Sequence, residues 1–315
     1  MPSFSCTVEA GIAQRLDRYI ADNLKILSRS QIKARKLSAR LNGKDVKISR
    51  LLKGGENLEL SWAEAEDPHL IPQKLPLDII YEDERVIVVN KAQGMVVHPG
   101  AGNWQGTLAN ALLYRRLEKQ VKGPVKEIAK ELPEEISYLG MRPGIVHRLD
   151  KDTSGVIIAA WDDETHAFLS DQFRTRKVRK TYAALVQGCP KDTHGCINMR
   201  ILRSPRNRKI FTVSETQGRQ SITYYKVVRN YGSYSLLLLR PKTGRTHQIR
   251  VHLKQLGYPV LGDPLYGKPD THFPNTTLML HAKSLSLYLP GGNSRVSYRT
   301  ALPPRFLHII GRLQT

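Results

Sequence analysis

The chain has 315 residues, with 49 Lys and Arg against 28 Asp and Glu and a net charge of +21. That length allows two domains and a sizeable core, and the positive excess selects a polyanionic partner, nucleic acid first and an anionic membrane surface second. No apolar run reaches the ~18 residues a membrane span needs, residues 1–19 carry no apolar signal-peptide core, and the three cysteines (Cys6, Cys189, Cys196) have no C-x-x-C spacing, which argues against a disulfide framework or a cysteine zinc site and for a reducing, cytoplasmic setting.

Residues 12–62 read as a small separate module. Leu16, Ile20, Leu24 and Leu27 fall at helical spacing. Ser28 and Gln31 form a capping box for a second helix, predicted from Arg29 to about Arg40. On that helix Arg29, Lys33, Lys36 and Arg40 share one face, a solvated stripe or an RNA contact. Asn42-Gly43 and Gly54-Gly55 mark turns around short alternating segments. Residues 63–77 hold Pro68, Pro72 and Pro76 with no period and read as a linker, leaving the modules free to move relative to each other.

A second domain is expected over residues 78–305. It opens with strands at 78–81 and 86–89, then a loop to Gly100, then a helix capped by Thr107 that carries Leu108, Leu112 and Leu113. Residues 119–140 match no pattern and read as an insertion. His147 to Gly155 puts charged and small polar residues straight before the apolar run Val156 to Ala160, a loop held by a buried strand. A helix over about 164–173 leads into the basic run Arg174, Arg176, Lys177, Arg179, Lys180, where phosphate contact competes with plain solvation. Thr181 to Val186 reads as a strand. Residues 190–235 read as β with turns, and Ser235 to Leu239 as a buried strand. Thr246 to Leu256 has a helical period stopped by Gly257, with His247, Arg250 and Lys254 on one face and Ile249, Leu253 and Leu256 on another. Residues 278–289 read as a final strand pair.

Several chemistries fit these strings poorly. The hydrolase elbow G-x-S-x-G would need Gly where Asp152 stands. Ser154 interrupts an aspartic-protease D-T-G, and no second copy supplies a partner carboxylate. Pro241 to Arg245 is not a phosphate-binding P-loop, and the histidines lack H-E-x-x-H or a carboxylate spacing, so no metal is expected.

The nonapeptide His147-Arg148-Leu149-Asp150-Lys151-Asp152-Thr153-Ser154-Gly155 resembles the signature H-R-L-D-x-x-T-S-G of the RluA family of RNA pseudouridine synthases. The strings V-V-N-K-x-x-G-M-V-V-H-P (88–99), K-T-Y-A-A-L-V (180–186), G-R-T-H-Q-I-R-V-H-L (244–253) and the run 257–267 are similar to the same family. The order R-L-D, S-R-S-Q-I, N-G-K, G-G-E-N-L-E-L in residues 12–62 resembles an S4 RNA-binding domain, with Ala34 to Arg40 in place of a more apolar helix end and its Gly. The two-module layout is closest to the RluD-like branch.

The resemblance implies an α+β fold, a mixed, mostly antiparallel sheet with flanking helices plus a small α/β S4 module. It implies that Asp150 is the catalytic aspartate, Arg250 its arginine partner and Tyr182 the active-site tyrosine, with Arg148 filling the space a flipped uridine leaves. Asp150 then acts either as a nucleophile at C1′ or by promoting loss of the base. The reaction is an isomerisation and no cofactor is expected. The expected partner is RNA, ribosomal RNA of the large subunit ahead of transfer RNA, free or in an assembling particle, with no membrane and a monomeric enzyme. RNA contact is expected from Arg148, Arg29, Lys33, Lys36, Arg40, Arg176, Lys177, Arg179 and Lys180. A different class, a non-catalytic S4-type RNA-binding protein, would keep the basic faces without needing Asp150, Tyr182 and Arg250 together.

Overall fold

In the computed structural model, residues 2–24, 26–27, 32, 35–63, 70–100, 102–120 and 143–314 are described. The chain divides into two compact units, Met1–His69 and Leu70–Thr315.

The first unit is a four-stranded antiparallel sheet in the order β1-β4-β2-β3, built from β1 (Ser3–Thr7), β2 (Ser38–Leu41), β3 (Lys44–Val46) and β4 (Asn57–Ser61). Strand β1 lies ahead of residue 12 and pairs along all of β4, so the unit is larger than the periodic segment suggests. Leu16 and Ile20 are buried as expected, on a short helix α1 (Leu16–Arg18) that runs on as a π-helical stretch, Tyr19–Leu24.

The predicted helix to Arg40 is corrected. Lys36 has a positive φ of 47°, which ends any right-handed helix, and Ser38–Leu41 is strand β2. The alternation decides it: Ala39 and Leu41 turn inward beside Leu58 and Leu60, and Ser38 and Arg40 turn out. Arg40 therefore sits on a strand, within 3.5 Å of Asp45 and 3.7 Å of Glu59. Arg29 and Lys33 lie outside the described residues. Asn42-Gly43 makes the predicted tight turn, with φ of 49° and 77° between β2 and β3.

The second unit carries one ten-stranded sheet, mixed and mostly antiparallel. Its strands are β5 (Ile79–Glu82), β6 (Val86–Lys91), β7 (Ser154–Ala160), β8 (Arg179–Gln187), β9 (His194–Arg203), β10 (Phe211–Ser214), β11 (Arg219–Asn230), β12 (Tyr234–Pro241), β13 (Leu280–Tyr288) and β14 (Arg295–Arg299). They run in the order β10-β9-β11-β12-β8-β13-β7-β6-β5, with β14 on β13. Helices α2 (Leu108–Gln120), α3 (Asp163–Arg174), α4 (Gln248–Gln255) and α5 (Pro304–Arg312) flank it. The predicted insertion over 119–140 lies mostly outside the described residues.

Strand β7 is buried on both faces, which is why it reads as an unbroken apolar run. Val156 and Ile158 pack with Val86, Val88 and Leu285, whereas Ile157 and Ala159 pack with Ile87, Val89 and Leu149. Its only parallel pairing is with β13, at Ser154 to His281 and Gly155 to Ala282. Gly155, at φ 117°, lies against the Ala282 carbonyl, where a Cβ would collide. That close approach fixes where the loop before β7 ends.

Two predicted boundaries shift. Helix α4 begins at Gln248 rather than Thr246, because His247 takes a left-handed conformation (φ 55°) at its N-cap. Helix α5 carries the unit past residue 305, with Phe306 and Ile309 buried in the core of Leu237, Leu253 and Leu280.

Candidate active site

The residues 146–153 ahead of β7, alternate residues of β8, and the segment from Pro241 into α4 enclose one cleft of about 470 Å³. Asp150, Tyr182 and Arg250, from three distant stretches of sequence, all line it. Period two along β8 selects Lys180 and Tyr182 for the cleft, with Val178 just ahead of the strand; Lys177 and Arg179 do not line it.

The loop carrying Asp150 is held from below. Leu149 is buried among Val89, Val97 and Leu108, which turns Asp150 the other way, into the cleft. The Thr153 amide donates to the Asp150 carbonyl at 3.1 Å. Lys91, 1% exposed, donates to the carbonyls of Ala92 (2.9 Å), Met95 (2.8 Å) and Lys151 (3.1 Å). Burial lowers its pKa to about 8 against the opposing charges of Asp152 and Asp150. A buried ammonium with three carbonyl acceptors ties the loop to β6 immediately beyond the aspartate.

Arg250 is 3% exposed. Its Nε and Nη2 donate to Asp263 Oδ2 and Oδ1 at 2.7 and 2.8 Å, a paired geometry that aims the remaining Nη1 at Asp150 Oδ2, 3.5 Å away. Burial opposes the charge on Arg250, and Asp263 more than offsets it, raising the pKa. Asp263 also accepts from the amides of Leu265 (2.9 Å) and Tyr266 (3.1 Å). It lay inside a recognised string, Leu261-Gly262-Asp263-Pro264, yet nothing in the residues said which cation it would meet.

His247 was missed as a neighbour of the aspartate: its Nε2 stands 4.0 Å from Asp150 Oδ2. Tyr266 Oη accepts from the Phe211 amide at 2.8 Å and lies 2.9 Å from His247 Nδ1. A phenol that donates to Nδ1 leaves the proton of the neutral ring on Nε2, facing the carboxylate. Burial lowers the pKa of His247, opposed by the charge of Asp150. Burial first, and the charge of Asp150 second, raise the pKa of Tyr182, so its phenol is neutral at ordinary pH.

Three other histidines have partners of their own. His147 Nε2 accepts from the Ile158 amide at 3.1 Å, and burial holds its pKa at about 3. His252 meets Thr223 at 3.0 Å. Arg305 donates to Ser154 Oγ at 2.6 Å; Ser154 Oγ lies 2.8 Å from His281 Nδ1, and Thr300 Oγ1 lies 2.6 Å from His281 Nε2. Among the described residues no three His, Cys, Asp or Glu side chains gather closely enough to share a metal ion.

These buried rings set an acid limit. Burial lowers the pKa of His252 and of His281 to about 4, below the ~6.5 of an unfolded chain. The unfolded state then binds more protons between pH 6.5 and 4, so stability is lost as pH falls through that window, by up to about 1.4 kcal/mol per pH unit for each ring. Urea unfolding across this range should show a shallower loss in His281→Asn than in wild type; equal slopes would refute the assignment.

Of the predicted RNA-contact residues, Arg148 is exposed at the cleft, Arg176 lines it at φ 61°, and Lys180 lines it with a pKa lowered to about 8 by burial. Lys36 is exposed on the first unit.

Residues 85–255 match the family described as RNA pseudouridylate synthase. The chain is 42% identical over 301 residues to ribosomal large subunit pseudouridine synthase D of Borreliella burgdorferi, covering 94% of this chain and 88% of that one. It is 36% identical over 318 residues to the protein of the same name from Zymomonas mobilis, covering 96% and 95%. Among solved structures, human RNA pseudouridylate synthase domain containing 4 superposes with a TM-score of 0.55 at 26% identity, over 75% of this chain and 92% of that one.

Proposed function

We propose, from the premise that the chain belongs to the RNA pseudouridylate synthase family, that this RNA pseudouridine synthase isomerises specific uridines of large-subunit ribosomal RNA. The observation that carries the reading is the meeting of Asp150, Arg250 and Tyr182 in one basic cleft, in a chain that relatives named for that substrate match over 94% and 96% of its length.

The reaction breaks the C1′–N1 bond, turns the detached uracil, joins C1′ to C5, and moves one proton from C5 to nitrogen. Atoms and electrons balance without a co-reactant. Asp150 acts at the sugar, either by adding to C1′ as the base leaves or by assisting departure of the base through loss of a neighbouring sugar proton. The guanidinium of Arg250 approaches the Asp150 carboxylate to 3.5 Å and attracts it directly. Tyr182, neutral and partly buried, offers a flat face to the uracil rather than a base for a proton. Arg148 fills the gap left when the uridine turns out of its stack, a movement that costs about a few kcal/mol.

The cations of the cleft and the amino-terminal unit, which we read as an S4-type RNA-binding module, supply phosphate contacts that offset this cost. No described helix is long and apolar enough to cross a membrane. We place the enzyme in the cytoplasm as a monomer.

The test is pseudouridine mapping of total RNA from cells lacking the protein, with and without the wild-type gene restored. Loss and return of sites in large-subunit ribosomal RNA is expected. Loss confined to transfer RNA, or no loss, would overturn the assignment.

A further inference from the structure

Arg245 presents an anomaly. Its Nε is buried and has no hydrogen-bond partner. Burial lowers its pKa, and the positive charges of Arg219 and Arg176 lower it further. Among the described residues no carboxylate forms an ion pair with any of the three, and Asp150 is the only acidic side chain lining the cleft that Arg176 and Arg245 share. Like charges gathered without a counter-charge are held at a cost unless a ligand supplies the anion.

The backbone that carries Arg245 is firmly held. Gln248, 4% exposed, accepts from the Arg245 amide (3.0 Å) and from Thr243 (2.7 Å). It donates to the Ile222 carbonyl and to Thr223 Oγ1, both at 3.0 Å. The Lys242 amide donates to the Ile222 carbonyl at 2.9 Å. One buried amide side chain thus clamps the segment carrying Arg245 onto β11, whose first residue is Arg219. Arg176 arrives from the left-handed turn that closes α3. Arg176 and Arg245 line the cleft from two elements distant in sequence, and Arg219 lies close enough to Arg245 for their charges to repel.

We propose that Arg176, Arg219 and Arg245 form a phosphodiester site that grips one particular backbone linkage of the RNA beside the target uridine. The ligand class follows from the donors. Planar guanidinium groups match the two unesterified oxygens of a phosphodiester and its single delocalised charge. The position has a chemical purpose, given the function proposed above. Once C1′–N1 is broken the uracil is loose, so the sugar must be kept in register by its own backbone, and an anchored neighbouring phosphate does that.

Fluorescence anisotropy with the full-length protein provides the test. Two RNA probes are used: a short oligouridylate, and an RNA carrying the mapped uridine with single neutral methylphosphonate linkages placed in turn around it. Arg219→Gln and Arg245→Gln should each weaken binding of both RNAs about tenfold and flatten the dependence of log affinity on log salt by about 0.7–1. One methylphosphonate linkage should weaken wild-type binding by a similar factor and the Arg219→Gln/Arg245→Gln double variant no further. Wild-type affinity and salt slope in both single variants, or an identical linkage profile in wild type and double variant, would overturn the site. Pseudouridine formation by wild type with unaffected variants would discard the phosphate site alone. A linkage-specific loss of binding without any pseudouridine formation would discard the enzymatic reading and keep the site.

Discussion

Asp150→Asn should leave the protein folded and lower the single-turnover rate of pseudouridine formation by about 10⁴-fold or more, the scale on which loss of an essential nucleophile acts. The backbone of Asp150 makes the contact that shapes its loop, through the Thr153 amide. Its side chain has only the longer approaches of Arg250 at 3.5 Å and His247 at 4.0 Å. Arg250 keeps its two hydrogen bonds to Asp263 whichever residue stands at 150. The charge can thus be removed without creating an unpaired buried group, and the melting temperature should stay within about 2 °C of wild type. RNA affinity should hold or rise, since a negative charge leaves a basic cleft. A variant within tenfold of the wild-type rate would show that Asp150 is not the group acting on the sugar.

Asp263→Ala should be the most destabilising single change near the site. Arg250 and Asp263 are 3% and 4% exposed, and removing one partner of such a buried pair costs about 3–5 kcal/mol, because the remaining charge loses both close hydrogen bonds and keeps only the longer approach to Asp150 at 3.5 Å. The amides of Leu265 and Tyr266 lose their acceptor at the same time. For a unit of this size the melting temperature should fall by about 10 °C. Asp263→Asn, which keeps an acceptor for those amides but not the charge, should lie between. Activity should fall in both, since Arg250 loses the contact that aims it at Asp150. A wild-type melting temperature for Asp263→Ala would mean that Arg250 finds another partner and that the preset geometry described here is wrong.

Local patterns were the most readable. The runs at 156–160, 181–186 and 235–239 are strands, Gly257 stops α4, and Asn42-Gly43 turns between β2 and β3. That the predicted helix does not run through 36–40 has a physical cause. Ala39 and Leu41 alternate over only four residues, too few to tell a period of 2 from one of 3.6, and the surrounding cations suit either. The three residues named for chemistry do meet in one cleft. What carried no local signal was the support around them: Asp263 behind Arg250, Tyr266 behind His247, Lys91 beneath the loop. Each is a polar residue in an ordinary setting until the fold supplies its partner. The same holds for the basic run, where strand register admits Lys180 and turns Arg179 away, and for Arg219 and Arg245, which are unremarkable cations in sequence.

Strand β13 gives the site a history. It lies between β7 and β8, so the stretch ending in Asp150 and the strand bearing Tyr182 belong to two half-sheets that only β13 joins. A growing chain has made both residues long before residues 280–288 appear. Until then each half can gather its own core, but the strand that pairs with both is missing. Competence therefore arrives in one late step of synthesis, and a product cut short before β13 holds every reacting side chain yet has no cleft to place them in.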